Sequence, residues 1–295
     1  MIPSLRKKNS LLDGVVSCAV LAFIGLIVYR ITVTMPYRWN WAVIPHYLWR
    51  FDPEQGRWVA NILLTGLVTT IKLSLWSSLL AAVLGLVMGV MRTMDRLIFR
   101  LVSLSYVELI RNIPPLVLIF IFYFFVSDQL MPMLGVEAFI RGRTPVVEQW
   151  LAFLFAPAAL FTPFVSGIIT VALFQGAYMA EIIRAGIQSL GKEQWEASAS
   201  LGLSWIQQMR FIILPQATRR VLPPLANECI NTIKYSSIVS VISIQELTFQ
   251  GLQVMAATQA TFEVWITISV IYFGLCFAVS LAVHRLERYM KRCGS

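Results

Sequence analysis

Histidine is nearly missing from this sequence. His46 and His284 are the only two, and they lie too far apart in the chain to suggest a shared metal site or a catalytic base with its partner. Each reads as an interfacial side chain. Cysteine is almost as scarce, and Cys18, Cys229, Cys276 and Cys293 show no C-x-x-C spacing. The first three sit inside apolar runs, so they read as small core residues, with neither a disulfide framework nor a metal site. Charge is scarce as well: 13% of the 295 residues are charged against 58% hydrophobic. A soluble chain could not hide that much apolar surface.

Charge is also absent from the middle of two long runs, "LDGVVSCAVLAFIGLIVYRITV" (12 to 33) and "VWITISVIYFGLCFAVSLAV" (264 to 283). A helix crosses the hydrocarbon core with about 20 residues, so each run is long enough to span. The mean hydropathy of +0.72 has its source in such runs, and the chain is read as an integral membrane protein. Arg6-Lys7-Lys8 precedes the first run, as in a signal peptide. That run exceeds the usual apolar region of roughly 7 to 15 residues, and no A-x-A-like cleavage site follows it, so it reads as a retained first helix.

Apolar patterning predicts six spans, at about 12 to 34, 59 to 91, 98 to 127, 161 to 189, 218 to 244 and 262 to 285. The net charge of +9 would suggest nucleic acid if it formed one patch, but it does not. Threading the spans from a cytoplasmic N-terminus gathers Arg6, Lys7, Lys8, Arg92, Arg96, Arg100, Arg184, Lys192, Arg210, Arg219, Arg220, Arg285, Arg288, Lys291 and Arg292 at one face. Arg30, Arg38, Arg50, Arg57, Arg141 and Arg143 fall on the other. That bias is the positive-inside rule, and it places both termini in the cytoplasm, with the lipid bilayer rather than nucleic acid as the surrounding partner.

Residues 35 to 58 alternate aromatic and polar side chains and hold Trp39, Trp41, Trp49 and Trp58, which suits the outer headgroup level or, toward Asp52-Pro53-Glu54, a partly ordered loop. Residues 128 to 150 form a second polar outer loop, and the proline-bearing stretch 150 to 164 reads as a short interfacial piece. The inner segment 190 to 215 is unusual for a membrane protein. Glu193 to Leu201 is helix-forming, Gly202 suits a left-handed helix end, Ser204 with Gln207 fits a capping box, and Pro215 breaks the pattern before the next span. A helix, turn and helix on the cytoplasmic face suits a meeting with another protein.

Within "GIQSLGKE" (186 to 193) lies a near match to the phosphate-binding G-x-x-x-x-G-K-[ST] loop. A phosphate loop needs a preceding strand and a Ser or Thr for magnesium. Here a membrane helix precedes it and Glu193 takes the magnesium position, so the chain is not expected to bind nucleotide. The following stretch, "EASASLGLSWIQQMRFIILP" (196 to 215), closely resembles the E-A-A-x3-G-x9-I-x-L-P signature of permease subunits of binding-protein-dependent ABC importers. Glu196, Ala197, Gly202, Ile212, Leu214 and Pro215 match, while Ser198 replaces the second alanine. "LVTTIKLSLWSSLLAAVLGLVMGVMR" (67 to 92), "RNIPPLVLIFIFYF" (111 to 124), "AYMAEIIRAGIQSL" (177 to 190) and "NTIKYSSIVSVISIQELT" (231 to 248) look like the polar amino acid branch of that family.

The resemblance covers about residues 60 to 285. It implies an all-α integral membrane protein with about six transmembrane helices: a five-helix type I importer core plus an extra N-terminal helix. Two parts follow, an N-terminal helix with its aromatic outer segment (1–58) and a permease domain (59–289) containing the cytoplasmic coupling loop 190–215. In the family this loop presents a short helix to a cytoplasmic ATPase subunit. Glu196 and the small residues Ala197, Ser198 and Ala199 would permit docking, with Gly202 making the corner and Pro215 closing the signature. The alternative is that the small residues pack the loop against its own bundle. ATP and magnesium would belong to two partner ATPase subunits, and no cofactor to this chain. A second permease, same or related, and a periplasmic amino acid binding protein would complete the assembly in a bacterial inner membrane.

Intramembrane charges are costly and face a cavity or a partner. Lys72, Glu108, Arg111, Glu181, Arg184, Glu228, Lys234 and Glu246 are the candidates. Glu108 with Arg111, and Glu181 with Arg184, are spaced to pair on a helix face, and Asn227, Asn231 and Lys234 share a face of the fifth helix. Such residues suit a path for an amino acid zwitterion, with Glu181 toward the cation and Lys234 or Arg111 toward the carboxylate. They equally suit snorkelling or helix-to-helix pairing. Two other classes stand beside the importer. A secondary transporter calls for inverted repeats, which the sequence does not display, and a membrane enzyme calls for a catalytic cluster that two separated histidines do not supply.

Overall fold

A computed structural model describes residues 10–30, 37–54, 56–140 and 142–293. The basic run Arg6-Lys7-Lys8, Arg141 and the end of the first expected span lie outside the described residues, as do the side chains of Lys291 and Arg292. The chain divides into two units, Met1–Trp41 and Ala42–Ser295. The first holds α1 (Ser10–Tyr29), whose 20 residues make a helix about 30 Å long. Further on in the same unit, Trp39 and Trp41 stack with ring centroids 5.9 Å apart, and Tyr37 meets Trp39 edge-on.

The second unit opens with α2 (Val43–Leu48) and an antiparallel hairpin of β1 (Trp49–Asp52) and β2 (Arg57–Ala60). The aromatic and polar residues alternate along β1, Trp49-Arg50-Phe51-Asp52, and cross-strand pairing sets Phe51 opposite Trp58, with the rings edge-on at 5.7 Å. Asn61 ends the hairpin and starts the first long helix. Its side chain accepts from the Ile62 N–H at 2.9 Å and donates to the His46 carbonyl at 2.6 Å.

That helix, α3 (Ile62–Met91), lies parallel to α9 (Ala158–Gln188), and the two form the centre of the unit. Small residues let the backbones approach closely. A Cβ added at Gly89 would stand 2.8 Å from the Ala180 carbonyl, a contact that leaves no room for a larger side chain. Ser77 Oγ reaches the Ile168 carbonyl, and Tyr106 OH donates to the Leu173 carbonyl at 2.6 Å.

The span expected at 98 to 127 is two helices, α4 (Leu97–Asn112) and α5 (Pro115–Phe125). The reason is local: Ile113 and Pro114 each precede a proline, which disfavours helical backbone, and Ile113 takes an extended ψ of 139°. The chain continues through a π turn (Val126–Leu130), α6 (Met131–Met133), α7 (Val136–Ile140) and α8 (Pro145–Leu154) into α9. The break falls before Pro157, whereas Pro163 is carried inside α9.

On leaving α9 the chain forms α10 (Lys192–Ser200), α11 (Trp205–Gln207), a π segment (Gln208–Ile213) and α12 (Leu214–Tyr235). The last three are continuous, so Pro215 does not break the helix. The wide π turn before it interrupts the regular ladder where the proline ring and its missing N–H fall. A 3₁₀ stretch (Ser236–Ile242) ends at Ser243, which is left-handed with φ 62°. Then come α13 (Leu247–Thr258), unforeseen from the sequence, and α14 (Thr261–Cys293). Glu246 is fully buried and caps α13, accepting from the N–H groups of Thr248 and Phe249 and from Tyr272 OH at 2.6 Å.

Among the described residues, four helical stretches are long and apolar enough to cross a membrane: Ile62–Met91, Pro115–Met133, Pro145–Gln188 and Thr261–Arg285. Trp205–Ile242 with Leu247–Thr258, bent by 50°, makes a fifth, and α1 adds a shorter apolar stretch at Gly14–Leu26. The fold is all-α and multi-pass.

Candidate functional site

The polar residues collect in three places. The first is the segment after α9. Gly202 has φ +75°, the Gly202 N–H bonds to the Ala199 carbonyl and the Leu203 N–H to the Ser198 carbonyl, which is the Schellman arrangement that ends α10. Ser204 and Gln207 then form the expected capping box, with the Ser204 N–H donating to Gln207 Oε1 at 2.8 Å. Between the two ends, Glu196, Ala197 and Ala199 are exposed, but Ser198 is buried and its hydroxyl donates to the Trp195 carbonyl. Ser198 therefore packs α10 against its own bundle. Gln216 donates to Gln194 Oε1 at 3.0 Å, joining α12 to α10, while Pro215 itself is exposed.

Sequence reasoning missed two residues here. Leu201 and Ile206 are 77% and 71% exposed at the corner, Leu201 just after α10 and Ile206 in the first turn of the Trp205–Ile242 stretch. Their signal was available, since both are aliphatic residues close to the corner predicted at Gly202. The neighbouring phosphate-loop look-alike is structural. Gly186 is in α9, where an added Cβ would stand 2.0 Å from Val221 Cγ2 on α12, so the glycine serves helix contact.

The second place is where α3, α4 and α9 meet near their Arg92 and Glu181 ends. Glu181 and Arg184 pair as their spacing suggests, through contacts from Arg184 to both carboxylate oxygens. Arg92, 15% exposed, also reaches Glu181 Oε2 at 2.8 Å, and its other nitrogen lies 3.6 Å from Glu108. Arg184 additionally donates to Gln188. The Glu181 carboxylate is thus already held by two guanidinium groups. The expected pair Glu108–Arg111 does not form: Glu108 turns to Arg92 and to Asn112 Nδ2, and Arg111 lies 5.9 Å from the Tyr178 ring centroid. The helix turns there so that Arg111 faces α9, where Tyr178 offers an aromatic face.

The third place is one face of α12. Asn227 and Lys234 are exposed and Asn231 is half-buried, so the three do share a face, and no side-chain hydrogen bond to Asn227 or Lys234 is made among the described residues. Asn231 Nδ2 donates to Glu228 Oε2 at 3.1 Å; Glu228 itself is buried toward α9, where the Gln175 and Thr232 side chains lie 3.0 Å apart. Tyr235 meets Phe174 edge-on at 5.3 Å, and Phe174 meets Tyr178 at 5.2 Å, so aromatic contacts link this face to Arg111. An uncovered polar helix face at membrane depth is costly unless it borders water or a partner.

Residues 81–292 match the family model described as "Binding-protein-dependent transport system inner membrane component". The Glutamine transport system permease protein GlnP of Escherichia coli (strain K12) is 40% identical over 157 residues, covering 52% of this chain and 71% of that one. The Nopaline transport system permease protein NocM of Agrobacterium fabrum is 33% identical over 228 residues, 77% of this chain and 87% of that one. Among solved structures, an amino acid ABC transporter crystallised with histidines superposes with a TM-score of 0.60 at 32% identity, covering 77% of this chain and 94% of that one. The MetNI methionine ABC transporter, at 18% identity and a TM-score of 0.56, shows the same fold. With a corner helix beyond the membrane helices, a polar face along α12 and a family match over most of its length, the chain belongs to the inner membrane components of binding-protein-dependent transport systems, the permease subunits of ABC importers.

Proposed function

We propose that this permease imports a polar amino acid across a bacterial inner membrane, with both termini cytoplasmic. The observation that carries the substrate class is the agreement among relatives named for glutamine and nopaline transport. The chain performs no covalent chemistry; ATP hydrolysis belongs to separate subunits in this family. On this reading, two ATPase subunits bind ATP and magnesium, a periplasmic binding protein delivers the amino acid, and a second permease, the same or related, covers the α12 face. Residues 1–58 form an added N-terminal part, 59–289 the permease domain, and 190–215 its coupling loop.

Glu196, Ala197, Ala199 and the exposed Leu201 and Ile206 form the docking surface for the ATPase, Gly202 sets its corner, Ser198 holds it to the bundle, and the exposed Pro215 closes the coupling segment. Arg111, Asn227, Asn231 and Lys234 line the pathway, offering a carboxylate its cations and amides. Glu181, Arg184 and Glu108, tied through Arg92, form a charged group on the α4 and α9 side of the same path. Proteoliposomes holding this chain with its ATPase, second permease and binding protein should accumulate radiolabelled glutamine only when ATP is enclosed with the ATPase. Uptake that persists without ATP, driven by an ion gradient, contradicts the proposal.

A further inference from the structure

Lys72 stands apart from all three groups. It lies on α3 some 20 residues before Arg92, about 30 Å along the helix axis. Half-buried, it donates from Nζ to the Ala152 carbonyl at 2.8 Å, and no carboxylate pairs with it among the described residues. An ammonium has three donors and is costly to bury without a counter-charge, so one carbonyl leaves it under-partnered. Beside it is a cavity of about 340 Å³. Gln245 and Gln250 also line this space, and neither amide makes a side-chain hydrogen bond among the described residues. Phe155 and Phe164 supply apolar wall. The left-handed turn at Ser243, an uncommon conformation for a residue other than glycine, brings Gln245 to the cavity after the 3₁₀ stretch.

We propose that this cavity is an anion-accepting site for a small singly charged oxyanion, held by Lys72 with N–H groups from Gln245 and Gln250, its apolar part against the two phenylalanines. The volume is at the small end of ligand sites, which run from about 300 to 1,000 Å³. It fits a molecule of amino acid size. Two sources carry that chemistry: the carboxylate of a free amino acid and the phosphate of a net-anionic lipid headgroup, one with no cation of its own to neutralise it. The amino acid source rests on the proposed function; the anion preference does not.

The test uses the full chain in proteoliposomes with its native cysteines replaced by serine and a reporter introduced as Thr69→Cys, at another residue lining the cavity. Modification rates are compared for anionic methanethiosulfonate ethylsulfonate and its cationic trimethylammonium analogue. The sulfonate should react faster by on the order of tenfold, Lys72→Gln should erase the preference, and Lys72→Arg should keep it. Slowing by free glutamine in phosphatidylcholine vesicles identifies the soluble source, and slowing by added phosphatidylglycerol identifies the headgroup. Equal rates, a preference that survives Lys72→Gln, no labelling at all, or a preference that neither glutamine nor phosphatidylglycerol reduces would each overturn the assignment. The readout needs no transport, so it can fail while ATP-driven uptake stands.

Discussion

Glu181 shows how a residue's role shifts once its neighbours are known. Its sequence context, a carboxylate in a span with Arg184 three residues on, suits a receptor for a substrate ammonium as well as it suits a pair. The structure gives both carboxylate oxygens to guanidinium groups, with Arg92 arriving from α3 across 89 residues of sequence. No local pattern could announce that third partner. Removing the carboxylate leaves two cations facing each other in a partly desolvated position, a loss of about 1–3 kcal/mol. Glu181→Gln should therefore lower the thermal stability of the purified chain in detergent, and Glu181→Gln with Arg184→Gln should recover part of the loss. A single variant as stable as the wild type would remove the cluster's structural role. The i to i+3 spacing foretold the pair Glu181–Arg184 but not the fate of Glu108 and Arg111, which share that spacing yet take Arg92 and Tyr178 as neighbours because packing chose the partner.

Elements divide along the same line. The end of α10 was legible because every part of it is local: a glycine for the left-handed position, then Ser204 and Gln207 at capping-box spacing. Pro215 was misread as a breaker because a π segment is a property of the whole turn around it and has no residue signature of its own. The single span expected at 98 to 127 became α4 and α5, separated at the Pro114-Pro115 pair. Helix α13 escaped notice because its cap, Glu246, reads as one more costly intramembrane charge until Tyr272 and two backbone N–H groups are seen to hold it. At this scale Gly202 carries a clear test. A β-branched residue at φ +75° costs about 1–3 kcal/mol. Gly202→Val should thus reorient α10 and abolish stimulation of the ATPase by the loaded binding protein, while Gly202→Asn, which tolerates the left-handed region, keeps most of it. Equal coupling in both variants would take the corner out of the mechanism.

For the whole molecule, the six expected spans become four, or five with the bent pair, among the described residues, but the all-α, multi-pass architecture was legible because bilayer thickness imposes helix length directly on composition. The parallel packing of α3 on α9 and the grouping of charges at separate places along α3 were not, since they depend on contacts between distant parts of the chain. Together these give a permease with a central pair of packed helices, a polar face on α12 and a corner helix outside the membrane helices. In the proposed function α10 transmits the work of an ATPase subunit. The most direct measurement is purification of the chain from its native membrane in mild detergent, for wild type and Glu196→Lys, with co-purifying proteins identified and ATPase activity assayed. The account predicts that an ATPase subunit accompanies the wild type and is lost, or retained without stimulated activity, in the variant. An ATPase that stays bound and fully stimulated in Glu196→Lys, or a chain that purifies alone and still moves substrate without ATP, would contradict it.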